Sequence, residues 1–271
     1  MCTVVLTFRP GHAWPLCLAA NRDEMVDRAW DVPAAYWPEL PGVIAGRDRT
    51  AGGTWMGLNR HGVVAAVLNR PGSLGPAAGK RSRGELPLLA LAHPTAADAV
   101  AALREQNAGG WRGFNLVVAD RESAFFLRGA GQGAPGVMAL PPGVSMITAH
   151  DPNDPASPRV ARHLPRFQKE PGPSPEDWTV WREILSDRSG DAGEQINVLP
   201  RAGFGTVCSS FVALPVEGAP VEGVPVEGAP VEGAPVEGAP VWLFASGPPH
   251  HAAFTPVRMA AAGASRPCSR R

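Results

Sequence analysis

Two apolar runs at the start of the chain, residues 3–8 and 16–20, are joined through Arg9-Pro10-Gly11-His12 and followed at once by Asn21-Arg22-Asp23-Glu24. This pairing limits the possible folds more than any other stretch. Runs so short, bounded by Gly, Pro or polar residues, read as buried strands rather than helices. The short connection brings the second strand back beside the first, so its polar end returns next to Cys2. Four polar groups closing a buried strand need partners, because an unpaired buried donor or acceptor costs about 1–3 kcal/mol. A solvated turn holding an Arg–carboxylate pair is the plainer alternative.

Similar runs recur at 43–45, 54–58, 63–68, 114–119, 124–128, 144–148, 206–214 and 241–245, many separated by Gly-containing turns that favour antiparallel pairing. Helical spacing of Leu and Ala marks 85–92 and 96–105, the latter with Thr95 as N-cap. Residues 159–167 and 176–186 are further helix candidates, the second with Ser174 as a cap and Trp178 and Trp181 on one face. Strand meanders with grouped helices predict an α+β chain in which sheet packs on sheet and helices lie outside. One domain over 1–260 is expected, with a flexible tail at 261–271. Into it is set a five-residue repeat, PVEGA with one PVEGV, over 215–239. Pro removes a donor and Gly adds backbone freedom in every copy, so the repeat reads as an expanded hairpin tip between strands 206–214 and 241–245. A partner-binding role for it is the alternative.

Lys+Arg 25 against Asp+Glu 25 leaves no net charge to draw nucleic acid or an anionic membrane. Only Lys80 and Lys169 among those cations are lysines, which points to a GC-rich, bacterial source. No run approaches 18 apolar residues and no signal-peptide core opens the chain, so a cytoplasmic protein is expected. In that compartment Cys2, Cys17, Cys208 and Cys268 stay as thiols. The scattered histidines offer no zinc spacing, and no metal is expected. Gly75–Arg81 lacks a spacer and the Ser/Thr of a P-loop, while Gly129-Ala-Gly131-Gln-Gly133 leads into Pro135 rather than a helix. Both read as turns.

Cys2 is different. A buried strand-start thiol is the ordinary reading of such a residue. Removal of Met1 before a small residue, however, would leave a thiol and a free amine on one residue. They titrate near about 8.5 and about 8, so the amine can take the thiol's proton, one way to activate a weak nucleophile. Arg22 beside it would favour the thiolate, and Asp23 or Glu24 could orient the ammonium.

At this point the chain resembles a known family. M-C at 1–2, A-A-N-R-D-E at 19–24, G-G-T-W-M-G at 52–57, R-G-E-L at 83–86 and G-F-N-L-V-V-A-D at 113–120 are similar, in order and spacing, to the NRDE family, also named for transport and Golgi organisation. The resemblance implies the four-layer αββα sandwich of N-terminal nucleophile hydrolases. It also implies a parallel with cysteine amidases acting on penicillin V and conjugated bile salts. By that parallel Cys2 is the nucleophile, Arg22 and Asp23 position it, and A-V-L-N-R-P-G at 66–72 makes Asn69 the oxyanion donor, where turn capping is its other reading. Asn21, Glu24, Trp55 and His150 are expected to border the substrate.

Two departures stand out. Arg22 and Asp23 are adjacent where the amidases separate the pair, and I-T-A-H-D-P at 147–152 puts His150 where many family members carry Asn. The leading expectation is an amidohydrolase acting on a small amide or thioester, without a cofactor. The alternatives are a carrier of haem or acyl-CoA in the same cleft and an interaction protein.

Overall fold

The structure, a computed structural model, describes residues 2–169, 172–175, 177–216 and 239–259. The body of the repeat, the 261–271 tail with Cys268, Met1 and the expected helix start at residue 176 lie outside the described residues.

The opening hairpin forms as its pattern predicts, with β1 (Thr3–Phe8) antiparallel to β2 (Leu16–Met25). β2 is longer than expected, and the polar tetrad lies inside the strand rather than in a turn after it. A late strand far away in sequence supplies the reason, pairing with β2 along its whole length and satisfying the tetrad's backbone. Next come β3 (Trp30–Ala34), β4 (Ile44–Asp48), β5 (Met56–Leu58) and β6 (Val64–Asn69). Helices α1 (Glu85–Leu91) and α2 (Ala96–Arg104) follow, and then β7 (Phe114–Ala119), β8 (Ala124–Gly129), β9 (Gly136–Ala139) and β10 (Gly143–Ile147). The remainder is α3 (Pro158–Lys169), α4 (Thr179–Leu185), β11 (Phe204–Leu214), β12 (Val241–Ala245) and β13 (Thr255–Pro256).

Among the described residues these strands make two antiparallel sheets. One is a meander in chain order, β3 to β9; the other runs β10-β1-β2-β11-β12-β13 and draws on both ends of the chain. Strand alternation divides the apolar side chains between two faces. Val4, Leu6, Phe8, Leu16 and Leu18 meet Met56, Leu68 and Phe126 between the sheets. Val5, Cys17 and Ala19 face outward onto α3 and α4 with Trp178 and Trp181, while α1 and α2 cover the outer face of the meander. The order helix, sheet, sheet, helix is the αββα sandwich.

Local chemistry accounts for the element ends. Thr95 caps α2, its Oγ1 accepting from the Asp98 N–H at 3.0 Å. Ser174 does not cap α4. Asp177 Oδ1 accepts the Thr179 N–H at 2.9 Å, so the helix starts after Trp178. The strands that sequence pattern missed, β3, β9 and β13, lie at sheet edges, where alternation is weak and Pro33 is tolerated in β3. β11 and β12 pair as a hairpin up to Ala213 opposite Val241, the two strands that flank the repeat.

His163 on α3 is fully buried, its Nε2 2.9 Å from the Glu194 carbonyl and its Nδ1 3.1 Å from Arg166 Nη1. Nε2–H therefore donates and Nδ1 accepts, the neutral ring. Burial pushes its pKa down to about 4. As pH falls below about 6.5 the unfolded chain takes up the proton first. Stability should be full above pH ~6.5 and decline by about 3 kcal/mol as pH drops to about 4. Urea midpoints across that range should show the slope, and His163→Gln should flatten it; an unchanged slope in the variant would contradict this assignment.

Candidate active site

Cys2 precedes β1, and because Thr3 lies opposite Asn21 it falls beside Arg22 on β2. Cys208 on β11 faces Arg22 from the other side. The period of two then splits the tetrad. Arg22 and Glu24 point between the sheets, and Asn21 and Asp23 point to the helix layer.

On the helix side the partners are specific. Asn21 Nδ2 donates to the Leu185 and Ile196 carbonyls, each at 3.0 Å, and its Oδ1 accepts from Ser209 Oγ at 2.6 Å. Asn21 thus ties β2 to the segment around α4, its side-chain amide taken up by these bonds, while the residue still lines the smaller space beside Cys2. Asp23 accepts from Thr206 Oγ1 at 2.7 Å and pairs with Arg159 Nη1 at 3.1 Å, and that same nitrogen donates to Thr3 Oγ1 at 2.9 Å. Sequence reasoning missed Arg159 and Thr206. Both are distant in sequence and carry no motif of their own.

On the cleft side Arg22 is only 5% exposed. Its guanidinium carbon lies 4.2 Å from the Trp55 ring centroid, and Nη2 is 3.8 Å from Glu24 Oε2. Its Nη1 is buried and has no hydrogen-bond partner among the described residues. Trp55 reaches Arg22 because Gly46 has no side chain; a Cβ there would strike the indole. The motifs at 52–57 and 83–86 meet directly. Thr54 N–H donates to the Gly84 carbonyl at 2.9 Å, and a Cβ on Gly53 would collide with the Gly84 backbone.

Cys2 is half-buried, its thiol 3.6 Å from the Asp23 carbonyl oxygen. Burial pushes the Cys2 thiol up, the Asp23 charge adds to this, and Arg22 pulls back less strongly. The expected thiolate is therefore not a gift of Arg22 alone, and a base is needed. Cys2 opens on two spaces. The smaller, of about 20 Å3, reaches Asn21, Cys208 and Ser210 and has room for about one water. An outer cleft of about 520 Å3 also contains Arg22, Glu24, Trp55 and Asn69. Asn69 ends β6, and its side-chain amide makes no hydrogen bond with another described residue.

His150 lies elsewhere. Its Nδ1 is 3.8 Å from Asp154 Oδ2, and it lines neither space around Cys2. The loop carrying it is clasped by Asn115, whose Nδ2 donates to the Thr148 and His150 carbonyls at 2.9 and 2.7 Å. Arg70 completes the clasp, with Nη1 2.6 Å from Asn115 Oδ1 and 2.8 Å from Asp151 Oδ1. Among the described residues no group of three His, Cys, Asp or Glu is placed to hold a metal. Among the described residues lining the outer cleft there is no histidine; Cys2 and Lys80 are the side chains there that could ligate a haem iron. No described helix is long and apolar enough to cross a membrane.

Residues 1–169 match the sequence profile of the family described as Transport and Golgi organisation 2, TANGO2, well over half of the 271 residues. The chain belongs to the Transport and Golgi organisation 2 family. Among relatives of this TANGO2 chain, the Transport and Golgi organization protein 2 homolog of Bos taurus is 34% identical over 129 residues, 44% of this chain and 45% of that protein. The Homo sapiens homolog is 32% identical over 133 residues, 46% and 47% of the two chains. The chain spans about half the length of the curated relatives it matches. Among solved structures, a Caenorhabditis elegans N-acylethanolamine-hydrolyzing acid amidase ortholog superposes with a TM-score of 0.55 at 15% identity, covering 78% of this chain and 92% of that one. That likeness shows the fold, an αββα sandwich of the N-terminal nucleophile hydrolase type.

Proposed function

We propose that this TANGO2-family chain is a cysteine amidohydrolase acting on a small amide or thioester. Once Met1 is removed, the α-amine of Cys2 takes the thiol proton and the sulfur attacks the carbonyl carbon. Asn69 Nδ2 donates to the oxyanion. The tetrahedral adduct collapses as the C–N or C–S bond breaks, and the ammonium returns its proton to the leaving group. Water, deprotonated by the same amine, then releases the acid and restores the thiol. Arg22 steadies the thiolate, and Asp23 holds the Cys2 segment through its main-chain carbonyl and its link to Thr3 by way of Arg159.

The observation that carries this reading is a half-buried cysteine beside a buried arginine whose Nη1 is unpartnered, both walling one cleft. The alternative is a carrier of haem or acyl-CoA in the same cleft, without turnover. Incubation with a panel of N-acyl amides and acyl thioesters, followed by mass spectrometry, tests it. An acyl group on Cys2 is expected; an unmodified ligand recovered from intact protein would favour the carrier.

The intact mass should lack Met1, and Cys2 should be alkylated before Cys17 and Cys208. Burial raises all three thiols, but Cys17 and Cys208 are fully enclosed while Cys2 is half-buried and lines the cleft. Retained Met1 in active protein would remove the amine as base.

A further inference from the structure

We propose that the substrate of this site carries an anionic group, a carboxylate or phosphate, seated in the outer cleft against Lys80, Arg83 and Arg112. This rests on the hydrolase reading and adds the substrate class. Most charges on the cleft wall are matched by an opposite one. Arg22 lies near Glu24, Arg28 Nη2 is 2.8 Å from Asp48 Oδ2, and Arg81 Nη2 is 2.6 Å from Glu85 Oε2. Asp23 is answered from the far side of the sheet by Arg159. Lys80, Arg83 and Arg112 form no ion pair with a carboxylate among the described residues, although the Glu24 charge reaches Arg83 across the cleft.

Their donors go instead to neutral groups. Lys80 Nζ donates to the Gly109 carbonyl at 2.6 Å, and Arg112 Nη1 and Nη2 donate to the Leu74 and Gly72 carbonyls, each at 2.6 Å. Arg83 Nη1 donates to the Ser73 hydroxyl at 2.9 Å and the Gly113 carbonyl at 3.2 Å. These bonds hold the connection between β6 and α1 as a wall of the cleft while leaving three full positive charges on it. Burial, and then the charge of Arg112, push the Arg83 pKa down, against a smaller upward pull from Cys2 and Glu24. An anion between them would relieve that repulsion.

Deeper in, Arg22, though its charge is matched by Glu24, keeps a buried Nη1 donor without a hydrogen-bond partner among the described residues. A concave wall of one charge concentrates ligands of the other. Apolar surface is close by, with Trp55 and Val67 in the wall and Leu74 54% exposed at the rim. The smaller space beside Cys2 has room for about one water, so we place the acyl and leaving groups in the larger cleft. The substrate class is a compact, partly apolar amide or thioester with a negative group.

The test uses the full chain and two alkylating probes of one size, neutral iodoacetamide and anionic iodoacetate. The rate ratio of iodoacetate to iodoacetamide at Cys2 should exceed that of N-acetylcysteine by about tenfold at low salt. It should fall toward the reference value at 1 M salt, where the screening length is about 3 Å. Lys80→Glu and Arg112→Gln should each lower the ratio severalfold, and Lys80→Arg should preserve it. Protection against iodoacetamide by phosphate or by succinate, at matched ionic strength, separates the two anion types. A wild-type ratio equal to the reference, or one unmoved by both charge-removing variants, overturns the anionic substrate and leaves the nucleophile standing. No labelling of Cys2 by either probe overturns the nucleophile itself, and the substrate class with it.

Discussion

Replacing Cys2 by alanine is expected to abolish the acyl adduct and reduce turnover by at least about a thousandfold, with the fold retained. The thiol is the one nucleophile opening on the cleft among the described cysteines, since Cys17 and Cys208 are buried and do not line it. Without it there is no covalent intermediate, and losses on removing such a group are of that order. Stability should change by less than about 1 kcal/mol, because Cys2 is half-buried and its sulfur makes one long contact, to the Asp23 carbonyl. Arg22→Ala should also remove activity but cost somewhat more stability. Its stacking on Trp55 is worth about 1–2 kcal/mol at a desolvated position, and Glu24 keeps Arg28 as a partner. Turnover kinetics and urea midpoints on the same preparations separate the two effects. Unaltered turnover in Cys2→Ala would end the hydrolase reading.

The opening hairpin was legible in the sequence because β1 and β2 are apolar on both faces and Gly11 closes their connection. The layer order followed from strands that alternate with grouped helices. What sequence could not show was register. Whether Asp23 meets Cys2 or turns from it depends on which residues of β2 face the second sheet, and on a partner, β11, about 180 residues away. A strand boundary placed at residue 20 hid that question, because a turn has no fixed faces. The same gap hid the bonds of Asn21, whose side chain is held on the helix side while the residue lines the smaller space beside Cys2. His150 was chosen by position in a motif, yet its loop is held by Asn115 and Arg70, whose pairing with Asp151 spans 81 residues. Asn69 stands differently: the resemblance of A-V-L-N-R-P-G at 66–72 to the amidases' segment singles it out, and it lines the cleft shared with Cys2.

The second large effect lies beneath the site. Asp23 and Arg159 are 0% and 3% exposed, 3.1 Å apart, and Arg159 also reaches Thr3. Removing one member of a buried ion pair typically costs about 3–5 kcal/mol, because the remaining charge stays in a poorly solvated place. Against a total stability of about 5–15 kcal/mol, Asp23→Ala should lower the urea midpoint severely, and Arg159→Ala comparably. The double variant Asp23→Leu with Arg159→Met replaces charge by packing and should recover much of the loss. A readout at the thiol then separates clasp from chemistry. The Asp23 charge raises the Cys2 pKa, so Asp23→Asn, if folded, should move the alkylation profile of Cys2 to lower pH. If Asp23 only packs, acylation by substrate should follow that shift and quicken; if it positions the reacting pair, alkylation should quicken while acylation slows. A midpoint within about 1 kcal/mol of wild type in both single variants would mean that the pair does not anchor β2 to α3, and the positioning of Cys2 would need another source.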